Sequence, residues 1–243
     1  MRRLFYAGKL AQTILISGQD AYHITRVLRG KLGQEVMVVD DENQAARMRL
    51  AAFGPKAVTL ELIEKLPLQA ESSAHITLAQ CVLKGEKMEL VLQKATELGV
   101  KRFIPIIAEN CVPQYDEEKQ REKAERWQRI ADEAAKQCGR NSLMNVMPPI
   151  KIDEFLGGIA PEKTLIFCYE NETRRPMGEV LRSLADQQFV LLIGPEGGFT
   201  QSEAAAVESK GGISVTLGPR ILRAETAAIA AVAILQHDRG DLG

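Results

Sequence analysis

Apolar and polar residues alternate with a period of two through Ala45–Phe53 and 57–64, the spacing of half-buried strands, after a short apolar strand-like run over Glu35–Val39. The first alternating run sets Met48, Leu50 and Ala52 against Arg47 and Arg49, and the second places Val58, Leu60 and Leu62 on one face. Polar residues at 40–44 and a Gly54-Pro55 pair separate the runs, so the segment predicts a meander or small barrel. One short helix precedes them. Ser17 stands at its cap with Asp20 in the first turn, and Ala21, Ile24, Val27 and Leu28 form an apolar stripe. His23, Arg26 and Arg29 occupy the other face.

Around residues 67–73 the pattern turns polar and its period changes, which divides the chain into a domain over 1–70 and another over 71–243. Beyond the boundary, short apolar runs at 75–82, 103–107, 165–169, 189–193 and 213–217 alternate with helical periods at 86–98, Glu117–Cys138, 177–185, 201–210 and 225–236. Strands without polar alternation, each followed by a helix, predict an α/β domain with a mainly parallel sheet. Ligands of such sheets sit outside the carboxyl ends of the strands, which points to the loops after Ile193 and Leu217. The last helix is apolar on every face from Ala227 to Leu235, and a second copy of the chain covering it predicts a homodimer.

A length of 243 residues suits one or two domains. That apolar run, the longest in the chain, falls far short of the ~20 residues that span a bilayer. Residues 1–18 lack the continuous apolar stretch of a signal peptide, so the expected location is the cytoplasm. Four cysteines about thirty residues apart, without a Cys-x-x-Cys and with three histidines in all, speak against a metal cluster or disulfide framework; no metal is expected. The net charge of −1 conceals an asymmetry: residues 1–70 hold ten Lys and Arg against seven Asp and Glu, which leaves local basic patches but excludes a uniformly basic coat.

Two segments carry the candidate chemistry. Residues 193–203 (IGPEGGFTQSE) follow a buried strand, and Thr200 with Glu203 three residues later makes a capping box that places the glycines just before a helix. They form neither a Walker loop nor a dinucleotide turn, yet they let backbone groups approach a flat ligand closely. Residues 217–226 (LGPRILRAET) again join a strand to a helix and bring Arg223, Glu225 and Thr226 to the helix N-terminus. Arg223 opposes the helix dipole there, and a phosphate or carboxylate partner would account for its position. Two such loops after adjacent strands make one crevice.

IGPEGGF at 193–199, LGPRILRAETAA at 217–228 and KATELGV at 94–100 together resemble the RsmE family, the 16S rRNA uracil-N3 methyltransferases of the SPOUT superfamily. MRRLF at 1–5 and HITRVLR at 23–29 look like that family's N-terminal PUA-like β-barrel, and residues 127–140 look like its interior helix. The resemblance implies a SPOUT domain with a C-terminal deep trefoil knot, S-adenosylmethionine as cofactor, and a homodimer with the active site at its interface. It also implies methylation of N3 of uridine 1498 (usual numbering) in the small ribosomal subunit. Carried onto this sequence, Leu192, Gly194, Pro195, Glu196 and Gly197 would line the cofactor from one loop, and Leu217, Gly218, Ile221, Leu222 and Thr226 from the other. Cys168, Tyr169 and Glu170 would form a third wall. One position departs from the pattern: the strand over 103–107 is followed in the family by Glu-Arg, and here Glu109 is followed by Asn110.

In the implied reaction, Arg223 would stabilise the uracil anion near O2 or O4, with Glu196 or Glu225 orienting or deprotonating the base. A paired uracil must leave its helix first, because N3 lies on the Watson–Crick edge. Arg2, Arg3, His23, Arg26, Arg29, Arg47 and Arg49, with Lys94 and Arg140, are the expected RNA contacts. Trp127, in phase with Ile130, Ala131, Ala134 and Cys138, reads as core, and residues 116–126 read as a solvated charged face. Three other readings remain: a SPOUT ribose 2′-O-methyltransferase, a non-catalytic ribosome-associated RNA-binding protein, and a small-molecule α/β enzyme. Neither loop shows the nucleophile with adjacent base that the last would need.

Overall fold

The computed structural model describes residues 3–27, 29–67, 71–72, 74–113 and 115–243. The expectations placed on Arg2 and Leu28 lie outside the described residues, as does that on the Val27 side chain. The chain divides into two compact units, Met1–Glu71 with Ala135–Ser142, and Ser72–Ala134 with Leu143–Gly243.

In the first unit, β3 (Glu35–Val39), β4 (Ala45–Phe53) and β5 (Ala57–Leu66) form the expected antiparallel meander. Two strands without a clear alternation signal complete a five-stranded sheet: β1 (Arg3–Phe5) lies parallel to β3, and β2 (Thr13–Ser17) antiparallel to β5. Met48, Leu50, Val58 and Leu60 are buried as their alternation requires. Ala52 is exposed, because a register irregularity between Leu50 and Ala52 shifts the phase. The short helix is also less regular than expected. Its α-helical part, α1 (Gly18–Tyr22), passes into a π-helical turn over His23–Val27, and the Ser17 side chain makes no cap hydrogen bond. Ala21 and Ile24 still reach the core.

The second unit is built on a parallel sheet in the order β12-β10-β11-β6-β7-β8. Its strands are β6 (His75–Cys81), β7 (Arg102–Ile107), β8 (Asn145–Val146), β10 (Thr164–Cys168), β11 (Gln188–Ile193) and β12 (Ile213–Val215), with β9 (Ile150–Lys151) also paired to β7. The helices are α2 (Lys87–Glu97), α3 (Glu117–Cys138), whose last residues from Ala135 belong to the first unit, α4 (Ile152–Gly157), α5 (Met177–Arg182), α6 (Gln201–Ser209) and α7 (Ala224–Asp238). The two-residue strands β8 and β9 and the single turn and a half of α4 are too short for a periodic signal. Central strands β6 and β11 are buried along nearly their whole length, as near-continuous apolar runs in a covered parallel sheet must be.

Trp127 is core, 2% exposed, with Tyr115 edge-on to its ring. On the charged part of α3, Arg126 pairs with Glu89 of α2 rather than with its own helix neighbour. Helix α7 packs on α2, α5, β6 and β11 through Ala227, Ala228, Ala231, Val232 and Leu235, leaving Ile229, Ala230, Ala233 and Ile234 half-buried. Among the described residues no helix is long and apolar enough to cross a membrane.

Candidate active site

The sheet order corrects one detail of the expected crevice. The loops after β11 and β12 do not follow adjacent strands, because β10 lies between them. Its own loop, starting at Cys168, therefore fills the gap as a wall, and the three loops enclose a cleft of about 1070 Å³. That is at the upper end of the roughly 300–1,000 Å³ common for small-molecule sites.

The glycines of the first loop each answer a local demand. At Gly194 a Cβ would stand 3.1 Å from the Phe199 ring, which packs edge-on against Phe167. Gly197 lies against Asn110, where a Cβ would come within 3.0 Å of the Asn110 Cβ. Gly198 has φ +71, and a Cβ there would meet the Glu170 carboxylate at 2.1 Å. The capping box fixes the end of the loop: Thr200 Oγ1 accepts from the Glu203 N–H at 3.2 Å, and Glu203 Oε2 accepts from the Thr200 N–H at 2.9 Å. The other Glu203 oxygen accepts from the Glu109 N–H at 2.8 Å.

The cleft brings together Cys168, Tyr169, Glu170, Gly194, Pro195, Glu196, Gly197, Leu217, Gly218, Ile221, Leu222 and Arg223 among the expected residues. It does not bring in Leu192, which is buried within β11, or Glu225 and Thr226, which lie on the first turn of α7. Glu225 is half-buried, and its Oε2 has no hydrogen-bond partner among the described residues. Burial pushes the Cys168 thiol up to about 12, so it serves as an apolar wall and not as a thiolate. Arg223 is exposed at the N-cap of α7, against the dipole, and its side chain makes no hydrogen bond or ion pair among the described residues. It is free to meet an anion.

Lys87 and Glu172 are among the cleft residues that were not anticipated. Lys87, at the start of α2, places its Nζ 3.0 Å from Glu196 Oε1, and the Lys84 N–H donates to the same oxygen at 3.3 Å. Burial pulls the Glu196 pKa up, but the Lys87 ammonium and the backbone donors outweigh it and hold the carboxyl below its usual range. Glu196 is thus a fixed anion and a weak base. Lys87 was findable, since it follows the carboxyl end of a central strand. Glu172 has no such signal. Its carboxylate accepts from the Arg174 and Arg175 N–H groups, the Arg175 side chain and the Ser214 hydroxyl, stiffening the third wall.

The Arg174 N–H, with the Arg175 and Ser214 side chains, lowers the Glu172 pKa to about 2 against the opposing effect of burial. A carboxylate with a depressed folded-state pKa stabilises the fold above its ordinary pKa of 4.5 and loses that contribution as pH falls toward 2. The melting-temperature gap between wild type and Glu172→Gln is therefore expected to be full at neutral pH and to narrow below about pH 4.5. A gap that is constant with pH would contradict this assignment.

The expected RNA contacts separate into engaged and free side chains. Within the first unit, Arg3 is 6% exposed and donates to Asn141, and Arg140 is 9% exposed and pairs with Glu71. Both are buried structural cations, so neither is presented to a phosphate. Arg47 pairs with Glu35 and Glu64, Arg49 with Glu61, and Lys94 with Glu97. Arg26 and Arg29 are exposed and make no ion pair among the described residues, while His23 is half-buried. Tyr22, missed in the sequence, is 63% exposed beside them.

Taken together, the cleft offers glycine backbone, apolar walls from Ile193, Leu217 and Leu222, and the carboxylates of Glu170 and Glu196. That set of apolar surface and acceptor carboxylates suits a flat ligand carrying positive charge. The chain matches the family described as RNA methyltransferase domain over residues 70–236, and that described as RNA methyltransferase PUA domain over 16–63. It is 31% identical to the ribosomal RNA small subunit methyltransferase E of Bacillus subtilis across 95% of this chain and 94% of that protein. Identity to the protein of the same name from Synechocystis is 35%, over 91% of this chain and 72% of that one. The crystal structure of the Neisseria gonorrhoeae ribosomal RNA small subunit methyltransferase E bound to S-adenosyl methionine superposes with a TM-score of 0.87 at 32% identity, covering 97% of each chain.

Proposed function

The chain belongs to the ribosomal RNA small subunit methyltransferase E family, and on that premise we propose that it methylates N3 of one uridine of 16S rRNA, uridine 1498 in the usual numbering. It is an S-adenosylmethionine-dependent rRNA methyltransferase. The observation that carries the site is the convergence of the three loops after β10, β11 and β12 on one cleft.

The residues present fit the cofactor. Glycines at 194, 197 and 198 keep the first loop low, Leu217 and Leu222 offer apolar surface to a ring, and Glu170 and Glu196 face a ligand bearing an ammonium and a sulfonium. When bound, S-adenosylmethionine supplies an electrophilic methyl group. The chain's own part is to place the uracil and to stabilise the charge that develops on it. Arg223, whose side chain has no partner among the described residues, offers its guanidinium to O2 or O4 as N3 loses its proton. Glu196, held ionised by Lys87, orients and does not readily accept a proton. Glu225 Oε2, buried and unpartnered among the described residues, lies outside the cleft lining and would reach the base only if the start of α7 moved.

The proposal includes the SPOUT knot and a homodimer, for which the half-buried outer face of α7 at Ile229, Ala230, Ala233 and Ile234 gives support. It places the enzyme in the cytoplasm with the ribosome, and assigns Arg26, Arg29 and His23 to the RNA backbone.

The test is methyl transfer from labelled S-adenosylmethionine to small ribosomal subunits lacking the native modification, followed by nucleoside analysis. 3-Methyluridine, absent when the subunits are already modified, is the expected product. A 2′-O-methylated nucleoside would select the ribose reading instead. RNA binding without cofactor binding would select the non-catalytic one.

A further inference from the structure

A loop with three glycines in five residues is costly to order, so a preformed cleft needs groups that hold it. Its ends are held. Gln80 Nε2 donates to the Gly194 carbonyl at 3.4 Å, and Thr200 and Glu203 close the other end. Its middle is tied from outside the cleft. Asn110 Nδ2 donates to the carbonyls of Gly197 at 3.3 Å and Gly198 at 3.1 Å. Nothing larger than hydrogen at Gly197 would allow that approach without displacement, since a Cβ there would lie 3.0 Å from the Asn110 Cβ. The turn that presents Asn110 is itself anchored, through the Glu109 N–H to Glu203 Oε1 and the Ala108 N–H to the Cys111 sulfur at 3.3 Å.

We infer that Asn110 is a positioning residue for the cofactor: it fixes the Gly197 and Gly198 peptides, which line the cleft, without lining the cleft itself. The inference rests on reading the cleft as the S-adenosylmethionine site. Only the amide nitrogen can make these bonds, because both partners are acceptors. An aspartate would point a carboxylate at two carbonyl oxygens and repel them. Asn110 is exposed and belongs to neither hydrophobic core, so its loss acts on the loop and not on global folding.

The experiment is calorimetric titration of S-adenosylmethionine into the full-length wild type, Asn110→Ala and Asn110→Asp, with melting temperatures and steady-state kinetics of the same proteins. Asn110→Ala is expected to weaken the cofactor about tenfold, the effect of losing two ordinary hydrogen bonds. Asn110→Asp is expected to weaken it further. KM for the cofactor rises in parallel, while kcat, KM for the RNA and the melting temperature stay near wild type, a split that a merely structural role would not produce. Unchanged cofactor affinity in Asn110→Ala overturns the inference, as does a rise in KM for the RNA alone, which would make Asn110 an RNA contact. A wild type that binds no S-adenosylmethionine overturns the reading of the cleft itself.

Discussion

Arg223→Ala is expected to lower kcat for methyl transfer about a hundredfold while leaving the protein folded and still able to bind S-adenosylmethionine. In the proposed reaction uracil N3 attacks as an anion, and a cation placed in advance where that charge appears is worth about 10²–10³ in rate in comparable sites. Arg223 is the cation of the cleft that sits at a helix N-terminus, where the dipole disfavours it, and has no carboxylate partner among the described residues. Its removal should cost little stability, since it relieves the dipole conflict by about a few tenths of a kcal/mol. Lysine at the same position is expected to restore part of the rate, since it keeps the charge but loses the planar fork. Single-turnover kinetics with unmodified small subunits give the measurement. A wild-type rate in Arg223→Ala would remove this residue from the chemistry and leave Lys87 and Arg220 as the cleft's remaining cations.

Gly198→Val is expected to weaken S-adenosylmethionine by about 30- to 100-fold. A β-branched residue at φ +71 costs about 1–2 kcal/mol or more in backbone strain, and its Cβ would stand 2.1 Å from Glu170 Oε1, so the carboxylate must move as well. At about 1.4 kcal/mol per factor of ten, strain and displacement together reach that range if the loop relieves them by leaving its path. Gly198→Ala should show a smaller loss, because the strain remains but the branch is gone. Both effects belong to cofactor binding and should appear in a titration of the isolated protein. Valine binding within threefold of wild type would mean that Gly198 is not held in this conformation when the cofactor is bound.

The parallel sheet, the meander and the positions of the longer helices were legible because burial writes a period into the chain. The continuous apolar runs of β6 and β11 and the amphipathic stripe of α2, with Met88, Val91, Leu92 and Ala95 buried, are local consequences of where water is excluded. The Thr200 and Glu203 capping box was legible for the same reason, since its two bonds join residues three apart. Where an element is two or three residues long, as in β1, β8 and β9, no period can accumulate, and these strands are fixed by their partners. Ser17 marks the limit of local signals: it occupies the cap position, yet its side chain does not cap.

The sequence by itself determined which glycine-proline loops line the cleft, since glycine and proline after a buried strand are a property of the chain, and through the resemblance it determined the family. Tertiary structure alone decided that β10 stands between β11 and β12, so that Cys168 to Glu170 close the cleft. It alone set Lys87 against Glu196, 109 positions apart, and Asn110 against Gly197, 87 apart. It also withdrew Arg3 and Arg140 from the surface by giving them partners inside the first unit. The physical reason is common to all of these. A charge or amide acts according to what lies within a few ångströms of it, and for residues a hundred positions apart that distance is set by the packing of the whole unit and leaves no mark on the local pattern.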